Sequence, residues 1–148
     1  IRMSLEETIA RLVAEQAGNE DIAALDVELD RQRKAERAGD TRQFHLLDEA
    51  FHATLAAIAG YPGVWALVQQ VKYQMDRFRH LTLTISNRPT TIIAEHEAIV
   101  EAIRRHDPTA AVAAMNRHLG TMRTGLDLAR AANPDFFLDD TAPQRTRT

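Results

Sequence analysis

The chain has 148 residues, of which 45% are hydrophobic and 26% are charged, a composition typical of one soluble globular domain. Its net charge of −3 and its pI near 6.1 exclude a general electrostatic attraction to nucleic acid, so we do not expect this chain by itself to bind DNA. The absence of cysteine excludes disulfides and thiolate ligands, so nitrogen and oxygen atoms must hold any metal.

Helical periodicity divides the chain into six segments, and no segment has the alternating pattern of a strand. We therefore expect an all-α fold, an antiparallel bundle of about six helices. The first helix is periodic from the start of the chain and ends near Gly18, which predicts a chain cut inside a helix. The second helix runs to about Ala38 and ends at Gly39.

The third and fourth helices are delimited by capping residues, glycine and proline. Asp40 or Thr41 caps the third helix, which ends at Gly60. Pro62 begins a long fourth helix that extends to about Leu81.

A break at residues 86–89 precedes a fifth helix, predicted over residues 91–105. Asp107 and Pro108 supply the N-cap and the first-turn proline of the sixth helix. The periodicity fades after about residue 131, so we expect one domain over residues 1–131 and a mobile tail over residues 132–148.

Two polar side chains lie on the apolar stripe of the third helix. At about 100° per residue, Asp48 falls between Phe44, Phe51 and Leu55, and His52 lies one step further round. An acid and a histidine four positions apart lie on the same side of a helix, so both can converge on one ion. Burying an unpaired acid is costly, which favours a metal site at this position.

Two later helices each bring a histidine to an apolar face. His96 lies among Ile92, Ile99 and Ile103, and His118 lies at the edge of the stripe on the last helix. An isolated histidine on such a face is more often bonded to a backbone carbonyl, and His118 alone would be interpreted in that way. With the pair on the third helix, however, the two histidines predict a divalent transition metal, zinc first, with nickel, manganese or iron as alternatives.

Three motifs occur in a recognisable order: L-D-E-A-F-H-A-T-L at residues 47–55, E-H-E-A-I at residues 95–99 and A-A-M-N-R-H-L at residues 113–119. Together with R-x-x-L-E at residues 2–6, they resemble the effector-binding C-terminal domain of FadR-type regulators in the GntR family. The resemblance covers nearly the whole chain.

The resemblance implies that Asp48, His52, His96 and His118 bind a metal inside a helical bundle. It also implies a homodimeric transcription regulator whose N-terminal winged helix, expected to be absent from this chain, binds operator DNA. The domain would sense a small carboxylate metabolite that fills the open coordination positions of the metal. The metal would then be a binding element, and no enzyme activity is expected.

Arg2 and Arg88 are the candidates for gripping the carboxylate of the effector, because arginine can form paired hydrogen bonds with it. The alternative for each is a solvated arginine or a surface ion pair. The Gly-Asp turn of the family is replaced here by His106-Asp107, and we expect His106 to close the preceding helix. His45, one turn before the first ligand of the third helix, is a further candidate for contact with the ligands.

Two other functions remain open from the sequence. A metal-dependent hydrolase would need a general base, but Glu49 and Glu95 each neighbour a ligand in the chain and therefore point about 100° away from it. In a purely structural dimerisation module, the metal would only fasten the helices together. The chain contains no signal peptide and no apolar run of about 20 residues, which predicts a cytoplasmic protein without membrane contact.

Overall fold

A computed structural model describes the backbone of residues 1–76 and 88–132 and the side chains of residues 1–70 and 89–120. Within these ranges the protein forms six helices and no strand, which confirms the all-α prediction. The helices are α1 (Arg2–Gln16), α2 (Asn19–Arg37), α3 (Thr41–Ile58), α4 (Pro62–Asp76), α5 (Arg88–Arg104) and α6 (Pro108–Ala132). None of the described helices is long and apolar enough to cross a membrane.

Helices α2, α3 and α5 end in the same backbone conformation. Gly39, Gly60 and His106 have positive φ angles of 67°, 84° and 49°. In each case the N–H of the following residue donates to the carbonyl five positions earlier, at 2.9 to 3.0 Å, which satisfies an end carbonyl of the helix. His106 thus closes α5 as predicted, and its Nδ1 lies 3.0 Å from the carbonyl oxygen of Ala14 on α1.

Aspartate side chains cap two of the helices that follow these turns. Asp40 accepts a hydrogen bond from the backbone N–H of Gln43, and Asp107 accepts one from Ala110, both at 2.9 Å. Each bond satisfies a backbone donor that has no partner within the first turn of its helix. The sequence predicted either Asp40 or Thr41 as the N-cap of α3. The N-cap is Asp40.

The fifth helix begins earlier than predicted. It starts at Arg88 rather than at residue 91, and Pro89 lies in its first turn, where the missing N–H of proline removes no helical hydrogen bond. The predicted break at residues 86–89 therefore does not include Pro89, which is helical. The predicted extension of α4 to Leu81 and the tail after residue 132 lie outside the described residues.

Helix α1 occupies the middle of the bundle. The pairs α2–α3, α3–α4 and α5–α6 are each joined by three residues and pack along each other, as antiparallel hairpins do. Helix α1 instead contacts α3, α4, α5 and α6. Its inner face carries Ala10, Val13 and Ala14, all completely buried, and these small side chains allow the surrounding helices to approach closely.

The buried apolar side chains of the described residues form two clusters rather than one. Phe51 and Ile99 belong to the main cluster, whereas Phe44 and Ile92 belong to a smaller one. On α3 and on α5, a polar candidate ligand lies in sequence between a member of the small cluster and a member of the main one. The predicted metal ligands therefore lie where the two apolar clusters meet.

Candidate metal centre

Four side chains from three helices converge in the interior. Asp48 and His52 come from α3, His96 from α5 and His118 from α6, and none is more than 2% exposed. One potential ligand atom from each residue lies within 4.8 Å of the others. The structure thus brings together all four residues that the helical periodicity had selected, and His118 is as deeply buried as the rest.

The distances between the inward-facing nitrogen and oxygen atoms of the four residues suit donors around one ion. Nε2 of His118 lies 3.2 Å from Nε2 of His52 and 3.4 Å from Nε2 of His96. Nε2 of His96 lies 3.6 Å from Oδ1 of Asp48. Two donors about 2.1 Å from a common ion are about 3.0 Å apart at a right angle and about 3.4 Å apart at the tetrahedral angle. The four residues could therefore hold a divalent metal with little rearrangement.

The outward nitrogen of each imidazole faces an oxygen atom. Nδ1 of His96 lies 2.9 Å from Oε1 of Gln32, a completely buried residue whose Nε2 also donates to the carbonyl of Leu47 at 3.3 Å. Nδ1 of His118 lies 2.9 Å from Oε2 of Glu95. These contacts orient the rings through the nitrogen that does not face the other ligands.

Glu6 of α1 contacts the third imidazole, that of His52. Nδ1 of His52 lies 2.5 Å from Oε2 of Glu6, whose side chain is 2% exposed. The other oxygen of Glu6, Oε1, accepts a hydrogen bond from Nε of Arg2 at 2.5 Å. A continuous series of contacts therefore runs from Arg2 through Glu6 to His52, from the first turn of α1 to the centre of the candidate site.

The outer oxygens determine where the imidazole protons lie. Nδ1 of His96 and Nδ1 of His118 each face an acceptor, so these two neutral rings carry the proton on Nδ1 and direct the lone pair of Nε2 inward. Those two lone pairs, a ring nitrogen of His52 and the carboxylate of Asp48 then lie within 4.8 Å of one another. This arrangement is repulsive by itself and becomes favourable around a cation. The chemistry of the donor set therefore fits a divalent metal ion.

The protonation states agree with this arrangement. Burial, with the neighbouring His118, lowers the pKa of His96 well below its usual value, and burial also lowers the pKa of His118. Burial raises the pKa of Glu6, but His52 and Arg2 lower it more strongly, to about 2. Near neutral pH the centre thus contains uncharged imidazoles at His96 and His118 and an ionised glutamate beside them.

Aromatic rings restrict the motion of two ligands. Phe51 stacks on His96, with ring centroids 4.1 Å apart and an interplanar angle of 17°. Trp65 of α4 stacks on His52 at 5.6 Å and 5°. Because each imidazole is held both on a face and at its outer nitrogen, its orientation is set before any ion arrives.

The other residues singled out in the sequence have different positions. Arg2 lies beside the centre, with a side chain only 12% exposed. Arg88 is the first residue of α5, and its side chain lies outside the described part of the structure. The half-buried His45 is not in the described group of candidate ligands; its ring lies edge-on to Phe44.

Sequence reasoning missed all three outer partners of the imidazoles. Glu6 and Gln32 are polar residues on the buried faces of α1 and α2, the same signal that identified the ligands, so that signal could have found them. Glu95 had been considered only as a base for the ion. The contact between Glu95 and His118 joins two helices, so the periodicity of a single helix could not predict it.

Comparison with known proteins identifies similar sequences and a similar fold. The FCD domain family model matches residues 1–121. An uncharacterized HTH-type transcriptional regulator of Streptomyces ambofaciens is 34% identical over 110 residues, which are 74% of this chain and 47% of that protein. The HTH-type transcriptional repressor RspR of Escherichia coli is 27% identical over 140 residues, 95% of this chain and 61% of that protein.

A third relative and a solved structure extend the comparison. The HTH-type transcriptional repressor NanR of Cronobacter sakazakii is 32% identical over 136 residues, 82% of this chain and 47% of that protein. The structure of Streptococcus agalactiae GntR aligns with a TM-score of 0.69 and 28% identity, covering 83% of this chain and 55% of that one. The chain thus spans about half to three fifths of the length of these proteins.

Proposed function

Because the chain belongs to the FCD domain family and its relatives are HTH-type transcriptional regulators, we propose that it senses a small carboxylate through a bound divalent metal and mediates homodimerisation. The chain is an effector-binding domain of a GntR-type regulator, and the relatives are regulators rather than enzymes. The complete protein would bind operator DNA through an N-terminal domain and act in the cytoplasm.

The convergence of Asp48, His52, His96 and His118 is the observation that carries the proposal. Nitrogen and carboxylate donors suit zinc, nickel, manganese and iron. Four protein donors leave about two positions on a six-coordinate ion, and zinc can also expand its coordination beyond four. A carboxylate oxygen, with a neighbouring hydroxyl or a second oxygen, would fill those positions in place of water.

The charges around the centre narrow the class of ligand. Asp48 and the outer Glu95 balance the two positive charges of the ion, and Arg2 balances Glu6. Counted over the described side chains, the loaded centre then has little excess positive charge. An anion would be held by direct coordination and by hydrogen bonds from arginine, which favours a small monocarboxylate or hydroxy acid over a polyanion.

Calorimetry with and without metal tests the proposal. Lactate and malate should bind measurably to metal-loaded protein and much more weakly to protein treated with a chelator, and their methyl esters should bind to neither. Equal affinity in both states would show that the ion only fastens the helices, which is the structural alternative. Sedimentation of the same samples would check that the protein is a dimer.

Two arginine variants test whether an arginine side chain binds the part of the effector that does not contact the metal. Arg2→Lys keeps a positive charge beside Glu6 but loses the paired hydrogen bonds of a guanidinium, so it should weaken lactate binding without changing the metal content. Arg88→Ala should do the same if its side chain also reaches the effector. Arg31→Ala removes an exposed arginine that pairs with Glu28 on α2 and serves as the matched control.

A further inference from the structure

Glu6 contacts two different parts of the candidate centre with its two oxygens. Oε2 lies 2.5 Å from Nδ1 of His52, and Oε1 accepts a hydrogen bond from Nε of Arg2. Both partners have little exposure: His52 is 2% exposed as a whole residue, and the Arg2 side chain 12%. Glu6 therefore links a candidate metal ligand on α3 to a cation on α1.

The position of Glu6 on α1 would suit an apolar residue. It lies one turn before Ile9 and Ala10 on a helix face that is otherwise hydrophobic. A buried ion pair is weak evidence for stability, since apolar residues of similar size often stabilise a protein equally well or better. The contacts of this carboxylate suggest that its contribution is to orient its two partners.

The outer partners of the three imidazoles are not equivalent. Gln32, which faces His96, is neutral, and Glu95, which faces His118, carries its charge without a described ion pair to an arginine or lysine. Glu6 alone among the three is also bonded to a cationic side chain. Among these three outer partners, only Glu6 ties the orientation of a candidate ligand to the position of a guanidinium.

We propose that Glu6 is a positioning residue that builds one anion site from two parts, by holding His52 toward the metal with Oε2 and Arg2 beside the metal with Oε1. This inference rests on the proposed function, because it requires both the ion and the carboxylate. Loss of the Glu6 charge then weakens metal binding and removes the ion pair between Arg2 and Glu6, while the apolar core of the bundle remains intact.

Cobalt(II) affinity, measured in competition with a chromophoric chelator, tests the first part. Glu6→Gln keeps the size of the side chain and removes its charge, so cobalt binding should weaken about 10- to 100-fold. Glu28→Gln is the matched control, since Glu28 is a buried carboxylate that pairs with Arg31 and is not among the described partners of the candidate ligands. Wild-type affinity in Glu6→Gln, or an equal loss in the control, would overturn the inference.

Nitrogen-15 spectra of the histidines provide a measurement that a general loss of packing would not reproduce. In the metal-free wild type, His52 should carry its proton on Nδ1. In Glu6→Gln the signals of His52 should change, whereas those of His96 and His118 should keep the wild-type pattern because Gln32 and Glu95 still hold them. Spectra in which all three histidines change together would contradict a positioning role.

Lactate binding at saturating cobalt tests the second part. With the ion in place, Glu6→Gln should still bind lactate several-fold more weakly than the wild type, because Arg2 has lost its ion pair with Glu6. Equal lactate affinity would overturn this part. If Glu6→Gln does not fold, Glu6→Asp keeps the charge but shortens the reach to His52, and unchanged cobalt affinity in that variant would also refute the proposal.

Measurements on the wild-type protein distinguish failure of the proposed function from failure of the proposed role of Glu6. A wild type that binds no cobalt, or that binds lactate equally well without it, would contradict the proposed function. A wild type that binds both, with Glu6→Gln behaving identically, would leave the proposed function standing and remove only the role of Glu6.

Discussion

Glu95 accepts a hydrogen bond from Nδ1 of His118 at 2.9 Å, although its neighbour in the chain is the candidate ligand His96. Adjacent residues on a helix point about 100° apart, so Glu95 faces α6 while His96 faces the centre. Helix α5 therefore carries one candidate ligand and orients another. This engagement with His118 also leaves Glu95 poorly suited to act as the general base of a metal-dependent hydrolase.

Replacing His96 with alanine should remove the metal without unfolding the bundle. His96 is one of four candidate donors, and the apolar clusters on either side of it do not require the ion. Elemental analysis should show a large loss of metal, with a helical circular dichroism spectrum close to that of the wild type. His45→Ala, a half-buried histidine on α3 outside the candidate ligands, should keep its metal. Full metal content in a folded His96→Ala protein would exclude His96 as a ligand.

The metal-free protein should lose stability as the pH falls below about 6.5. The pKa values of His96 and His118 lie below the usual 6.5 in the folded state, so the unfolded chain binds more protons in this range and acid favours it. Above pH 6.5 this contribution to stability is fully present. Glu6, with its pKa lowered from 4.5 to about 2, adds a further loss as the pH falls below 4.5.

Thermal unfolding of chelator-treated protein between pH 8 and pH 4 checks this prediction. The midpoint should be constant above about pH 7 and should decrease below it. A midpoint that stays level or rises from pH 7 to pH 5 would contradict buried, uncharged imidazoles. Metal affinity should decrease over the same range, because protonated imidazole cannot coordinate.

Gln32→Leu should impair the metal centre without touching a ligand. The substitution leaves the buried Nδ1–H of His96 without its acceptor, a loss of about 1 to 3 kcal/mol, and should weaken metal binding about 10-fold or more. Gln32→Glu restores an oxygen acceptor and should recover metal binding. Gln16→Leu removes an exposed glutamine that bonds to a backbone carbonyl and should leave metal affinity unchanged. Tight metal binding by Gln32→Leu would mean that Gln32 does not orient His96.

Removing the cap of α6 should destabilise the fold modestly. Asp107→Ala deletes the acceptor for the backbone N–H of Ala110 and should lower the free energy of unfolding by about 1 kcal/mol. Urea denaturation measures the change, and Asp107→Ser, which retains a capping oxygen, should recover most of it. If both variants lose the same stability, the cap is not the cause.

The candidate ligands were predictable because a polar residue on an apolar helix face is visible in the periodicity of a single segment. Asp48 and His96 interrupt such faces, and Gly39 and Gly60 mark helix ends through their backbone freedom. Each of these signals is local. The convergence of separate helices on one point was therefore inferred from the burial of polar groups and from the family resemblance.

The features that the sequence analysis missed depend on contacts between helices. Which histidine each of Glu6, Gln32 and Glu95 would contact depends on how the helices pack. Pro89 was interpreted as a chain break, although a proline in the first turn of a helix removes no hydrogen bond. Local patterns thus located the centre but did not determine its supporting contacts.

Trp65 is the single tryptophan of the chain, and its indole stacks on the imidazole of His52. The tryptophan fluorescence of the chain therefore comes entirely from the edge of the candidate centre. Paramagnetic ions such as cobalt or copper should quench this emission on binding, whereas zinc should shift it without strong quenching. Since the indole and the imidazole belong to different helices, the same emission should also register displacement of α4 relative to α3, so the native protein contains an optical probe of its own occupancy.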